Sequence, residues 1–293
     1  MKEKFANLHE HQKGIFAVIA AALLWSTGGL FIKLVTYNPL QISFFRCFFG
    51  SLVFIAVFRK KAVTANKFTF LNSLFYAGTL FFFVLANKTT TAANAIFLQY
   101  TAPIYVLILE PIINKTPFRR INVITVIVSF IGMTLFFLGE LSPGRIEGNI
   151  YALLSGMTFA AFLLGMRKNK KEYQFSSIFY GNVILAVICL PSIFEIQHYT
   201  FSNLWMLAYL GIFQIGLAYA IFTFGLKRVY AIEASLISMV EPVLNPIWVF
   251  LGYGEVPSLL AIIGGIIVIS VISLRAIILE TPIMKAKLNP ERE

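Results

Sequence analysis

Ala231–Gly252 reads AIEASLISMVEPVLNPIWVFLG, an apolar run long enough to span a bilayer but interrupted by Glu241, Pro242, Asn245 and Pro246. At about 1.5 Å per residue, Glu241 falls roughly 15 Å in from Ala231, near the midplane of an about 30 Å hydrocarbon core. An ionisable group at that depth is costly unless it faces a cavity or a partner. Pro242 and Pro246 each remove a backbone donor and interrupt the helix ladder, freeing carbonyls that need partners. Ala234, Ser238, Glu241, Asn245 and Trp248 recur at helical spacing, which places small and polar groups on one face. A helix lining a wet pocket has a use for such a face, and a lipid-facing helix has none.

The rest of the chain is built of similar runs. Its 293 residues are 58% hydrophobic and 13% charged, with a mean hydropathy of +0.81. Alternating patterning of the kind a membrane β-barrel needs is absent. Ten spans are expected, at Gly14–Val35, Leu40–Phe58, Phe68–Ala86, Ala93–Ile113, Ile121–Gly139, Gly148–Met166, Ser177–Phe194, Leu204–Gly225, Ala231–Gly252 and Pro257–Leu279. The linkers are short and carry turn residues, as in Tyr37-Asn38-Pro39 and Ser142-Pro143-Gly144. Met1–Lys13 is polar, without the apolar core of a removable signal.

The net charge of +11 would suggest nucleic acid in a soluble protein, but its placement argues for a lipid bilayer as the partner. With the N-terminus inside, every Lys and Arg except Lys33, Lys88, Arg145 and Arg46 falls in a cytoplasmic segment. That pattern fits an even number of spans with both termini inside. There is no Asp, the three His lie outside the apolar runs, and Cys47 and Cys189 read as buried thiols. No metal spacing or cofactor motif exists, and nothing sets an oligomeric state.

An internal repeat is visible. Lys88–Pro103 lies over Lys227–Pro242 at a constant offset of 139 residues, with Lys, Ala and Pro coinciding. A weaker echo of Trp25 lies near Thr158 and Phe159. Halves of five spans are inserted in opposite senses, because five is odd. This is the inverted-repeat plan of secondary transporters, with the site near the midplane. The expected fold is therefore all-α, with ten transmembrane helices as two inverted five-helix repeats over 1–139 and 140–293.

The order of these motifs resembles the drug/metabolite transporter superfamily, specifically the EamA-type bacterial transporters. The resemblance is carried by Ala-Ile-Phe-Leu-Gln-Tyr-Thr-Ala-Pro in the fourth span, Glu241-Pro242-Val243 in the ninth and Gly254-Glu255 before the tenth. Arg46 in the second span, Gly132 in the fifth and Gly264 in the tenth add to it. In the first half, Asn114-Lys115-Thr116-Pro117 stands where the family has Gly-Glu. The resemblance implies a basket-like bundle in which the first, third, fourth, sixth, eighth and ninth helices line a central cavity. The fifth and tenth would then lie away from it. It also implies rocking of the halves and a solute range covering amino acids, other metabolites and drugs, in a bacterial inner membrane.

Candidate solute-binding residues are Trp25, Gln99, Tyr100, Phe159, Gln214, Tyr219, Ser238, Glu241 and Asn245. Pro103, Pro242 and Pro246 are the expected helix breaks. Glu241 either binds a proton or solute, or pairs with Arg46, or caps the break before Pro242. Arg46 anchors an anionic solute, snorkels outward, or holds the fold. Asn94 and Glu233, equivalent through the repeat, read as gate or helix-start residues. Aromatic rings at mid-depth can pack around an organic solute, but with 30 Phe in the chain most rings are packing or lipid contacts. The expected activity is secondary transport, most simply export, of a small organic solute, with Glu241 the candidate coupling residue if protons drive it. A passive facilitator of the same fold is the nearest rival. A structural or chaperone role has no use for midplane polar groups, and an enzyme would need a nucleophile–base pair or a metal that this composition does not offer.

Overall fold

A computed structural model describes residues 2–138, 145–244, 248 and 258–280. The described residues are helical, joined by short turns. Nine of these segments are long and apolar enough to cross a membrane: Glu10–Leu34, Pro39–Phe58, Lys67–Thr89, Asn94–Asn114, Arg120–Phe137, Ile146–Lys168, Lys171–Glu195, Phe201–Leu226 and Leu259–Leu279. They fall on the first to eighth and the tenth of the expected spans. The expected ninth is described over 231–244 and at Trp248.

Several boundaries follow from local chemistry. Asn38 opens the second span with a capping box, its side chain accepting from the Gln41 N–H while the Gln41 side chain accepts from the Asn38 N–H. Pro39 follows at the first helical position, where a missing donor costs nothing. Asn66 and Thr69 repeat the same device at the start of the third span.

Two kinds of surface result. Phe16, Ile112, Val187 and Ile277 stand exposed on the outside, as expected where the solvent is hydrocarbon. Between helices, small and polar residues take over. The third and seventh spans are tied by Ser73, which donates to the Ser177 carbonyl at 2.8 Å, and by the Tyr76 phenol donating to Asn182 at 3.3 Å. The fifth and tenth spans pack on each other at Gly132 and Gly264. A Cβ on Gly132 would stand 3.0 Å from the Gly264 carbonyl oxygen and 2.9 Å from Val268. The main contacts otherwise join the third span to the sixth, the first to the eighth, the second to the seventh and eighth, and the third to the seventh. The fourth packs on the sixth, and the helix Ala231–Ser238 packs on the first and fourth.

Candidate solute site at two broken helices

The fourth span is two helices, Ala92–Gln99 and Ala102–Asn114, separated at Tyr100–Thr101. The expected ninth span stops at Ser238, turns at Met239 and resumes as helix over 240–244. In both, the helix ends four residues before a proline: Gln99 before Pro103 and Ser238 before Pro242. A proline ring clashes with the carbonyl four residues back and cannot donate to it. The break therefore lies upstream of the proline itself, and Pro103 serves in the opening turn of the next helix. Pro246 lies outside the described residues.

The two breaks meet. The Tyr100 phenol donates to Glu241 Oε2 at 2.5 Å, joining the first break to the residue just past the second. Gln99 donates to the Ser155 hydroxyl at 2.8 Å, which donates in turn to the Thr79 carbonyl at 2.9 Å. The sixth span comes this close because of Gly156. A Cβ there would lie 2.7 Å from the Gln99 carbonyl oxygen and 3.0 Å from Thr101 Oγ1.

Two further irregularities frame the same space. The first span is interrupted at Ser26–Thr27 before Gly28–Leu34, and the eighth runs as a π-helix over Leu210–Leu217. Wide turns of this kind concentrate at functional sites. Here the π segment presents both ends of Gln214. Its carbonyl accepts from the Trp25 indole at 3.1 Å, and its Oε1 accepts from Arg46 Nη2 at 2.6 Å. Gly28 packs directly on the Gln214 amide, where any side chain would overlap it. Trp248 closes the frame by donating to Ser26 Oγ at 2.7 Å.

Between these elements lies an open cavity. It is lined by Trp25, Arg46, Gln99, Tyr100, Phe159, Gln214, Tyr219 and Glu241, eight residues singled out from the sequence, and also by Thr79, Leu80, Phe83 and Ile215. The walls therefore come from the first, third, fourth, sixth, eighth and ninth spans, with the second added through Arg46. Among the described residues, the fifth and tenth contribute nothing to this lining. Trp25 is the centre of an aromatic wall, 4.8 Å from Tyr219, 4.9 Å from Phe222 and edge-on to Phe159 at 6.4 Å.

Arg46 is 2% exposed, yet its Nε has no hydrogen-bond partner among the described residues. Glu241 and Arg46 face one cavity, and each is held by a neutral group, the Tyr100 phenol and the Gln214 amide respectively. Each charge thus has a neutral hydrogen-bond partner, and both face the same cavity.

Ser238 is a correction. It is fully buried and donates to the Ala234 carbonyl at 2.8 Å, and it is not part of the cavity wall. A continuous helix would put Ser238 and Glu241 on one face, and the turn at Met239 interrupts that helix between them. Asn245 lies outside the described residues, as does Gly254-Glu255. The third-span lining went unforeseen because Thr79, Leu80 and Phe83 carry no charge and look like ordinary packing. Their one sequence signal is helical spacing, with Phe83 four residues after Thr79.

A bundle of apolar helices around a mid-depth cavity with broken helices on its wall is the architecture of a membrane transporter. The EamA-like transporter family model matches residues 12–138 and 146–276, and the chain belongs to that family. It is similar to an uncharacterized transporter of Archaeoglobus fulgidus, 25% identical over 88% of this chain and 94% of that one. It also resembles transporter YdfC of Bacillus subtilis, 26% identical over 84% of this chain and 85% of that one. The S-adenosylmethionine uptake transporter of Rickettsia prowazekii is 26% identical over 79% of this chain and 81% of that one. A crystal structure superposes with a TM-score of 0.75 at 18% identity, covering 90% of this chain and 98% of that one, which establishes a shared fold. The protein is thus a multi-pass membrane transporter and not an enzyme.

Proposed function

We propose that this protein moves a small organic solute across a bacterial inner membrane by alternating access, as a proton-coupled exporter. Two inverted five-helix halves, 1–139 and 140–293, with both termini inside, enclose the cavity between Arg46 and Glu241. The helix packing supports the two halves. Exchanging each span for the one five places later turns the third–sixth contact into the eighth–first, the third–seventh into the eighth–second, and the fourth–sixth into the ninth–first. Because five is odd, exchanged spans cross the bilayer in opposite directions.

The observation that carries the reading is the hydrogen bond from Tyr100 to Glu241. It joins the two helix breaks, one from each half, on the wall of the cavity. A carboxylate there can hold a proton in one state and release it in another. Trp25, Phe159 and Tyr219 would hold an organic body, and Arg46, with its open Nε, would take an anionic group. Gln99 and Gln214 would orient polar substituents. The Rickettsia relative makes S-adenosylmethionine the first solute to test.

Purified protein is screened for thermal stabilisation against a metabolite panel, and the ligands found are tested for flux in proteoliposomes. Gradient-driven flux should be lost in Glu241→Gln while solute exchange persists. Gradient-driven flux that survives Glu241→Gln would remove the proton coupling, and pH-independent wild-type flux would favour the passive facilitator. Failure of every ligand to stabilise the protein would count against a binding cavity.

A further inference from the structure

The two broken helices start at opposite faces of the inverted-repeat architecture, and their starts are held by different chemistry. At the start of the fourth span the contacts are made by hydroxyls and amides, with the Lys33 ammonium donating to the Thr90 carbonyl at 3.1 Å. Thr91 Oγ1 accepts from the Asn94 N–H at 3.1 Å, and Asn94 Nδ2 donates to Asn149, on the sixth span, at 3.0 Å. The Thr90 hydroxyl donates to the same Asn149 oxygen at 3.0 Å.

The repeat puts Glu233 where Asn94 stands, and His11 of the first span faces it as Asn149 faces Asn94. His11 Nε2 is 3.1 Å from Glu233 Oε2, and Arg275 Nη1 is 3.4 Å from Oε1. Arg275 also donates twice to Asn122 Oδ1, at 2.9 and 2.8 Å. Glu110, from the end of the fourth span, accepts the first two N–H groups of the helix Ala231–Ser238 at 2.7 and 2.8 Å. Glu110, Asn122, Glu233 and Arg275 are all 6% exposed or less. Arg119 and Arg167 stack over the Tyr230 ring at 5.3 and 5.6 Å, which adds positive charge around the two carboxylates.

This network draws on the first, fourth and fifth spans of one half and the ninth and tenth of the other. Rocking of the halves cannot open the inner mouth without separating it. It also borders a small hollow lined in part by Glu110, Arg119, Asn122 and Arg275.

We propose that His11, Glu110, Glu233 and Arg275, with Asn122, form an ionic latch that closes the inner mouth of the cavity. While the latch holds, the inner mouth is shut and the cavity is reached from the outside alone. The proposal rests on the alternating-access reading above and adds which mouth is locked and by what.

The test uses the full chain with Cys47 and Cys189 replaced by Ser and a reporter, Thr79→Cys, on the cavity wall. An impermeant maleimide is applied to right-side-out and to inside-out vesicles. The expected result is labelling from the outer face alone in the reporter protein. Glu233→Gln should raise inner-face labelling about tenfold or more, since hydrogen bonds to charged groups are worth at least that factor. His11→Gln should raise it by less. His11 is partly exposed, and this milder variant keeps the test open if the buried substitution fails to fold. Inner-face labelling that stays unchanged in folded variants, or a reporter protein labelled from the inner face alone, would overturn the latch and leave alternating access standing. Equal labelling of the reporter protein from both faces would also overturn the latch, because it would show no closed inner mouth at rest.

Discussion

The fourth and ninth helices carry the same break and opposite chemistry. Each backbone fails four residues before its proline, at Gln99 and at Ser238. Through the repeat, Tyr100 corresponds to Met239 and Ala102 to Glu241. At these two positions the first half has the phenol and no carboxylate, and the second half has the carboxylate and no phenol. The pair forms only across the halves. Backbone symmetry thus builds the chamber, and side-chain asymmetry fills it with one donor and one acceptor instead of two like groups.

The difference is sharpest at the helix starts. Thr91 caps the fourth span from within its own chain segment, whereas the ninth has its own Glu233 on the Tyr230 N–H and also takes its first two N–H groups to Glu110 of the other half. Glu110→Ala should therefore destabilise the protein by about 2–4 kcal/mol, because two buried N–H groups lose their acceptor. Thr91→Ala, at the equivalent start, should cost about 1 kcal/mol. Thermal unfolding of both variants in one detergent checks the ranking, and equal losses would erase the contrast.

The bond that joins the breaks comes next in size. A double-mutant cycle on Tyr100→Phe and Glu241→Gln should give a coupling of about 1–2 kcal/mol, in the upper range for hydrogen bonds inside membranes. Additive effects would mean that the two residues act independently.

The smallest effect concerns the lysines that precede each helix. Lys88 donates to the Val35 carbonyl at 2.7 Å. Its repeat partner Lys227 lies in the turn before Ala231, its ammonium 4.0 Å from the Phe175 ring centroid. Burial, then Lys171, Lys61 and Arg228, push the Lys227 amine down to about 8. A lysine lowered on folding burdens the native state while it is charged. That burden is full below pH 8 and lifts as pH rises from about 8 toward the ordinary value of about 10.4. Lys227→Met should raise Tm by about 1–2 °C at pH 7, with the gain shrinking by pH 9.5. Lys88→Met, which loses a carbonyl partner, should lower it.

Much of this was legible in the sequence, for identifiable reasons. Length and hydropathy locate the spans because the bilayer imposes both. The prolines announce the breaks, and polar groups at mid-depth such as Arg46, Gln214 and Glu241 stand out against an apolar background. Eight of the residues selected in this way stand around the cavity. Ser238 was misplaced because helical periodicity does not survive a turn at Met239. Thr79, Leu80 and Phe83 were missed because apolar lining and apolar packing have the same composition. The π segment at Leu210–Leu217 has no residue signature, since it arises from how the eighth span packs on Arg46 and Trp25. The Glu110 cap was also hidden, because it joins residues 121 positions apart.

The glycine seam between the fifth and tenth spans bears on how the molecule can move. Main chain meets main chain at Gly132 and Gly264, with Val268 and Phe136 pressed against it. Such a joint has no flexible bulk to absorb a slide, and a one-residue shift would drive a side chain into the opposing backbone. The seam is suited to act as a rigid spine along one edge, leaving the swing to helices on the far side.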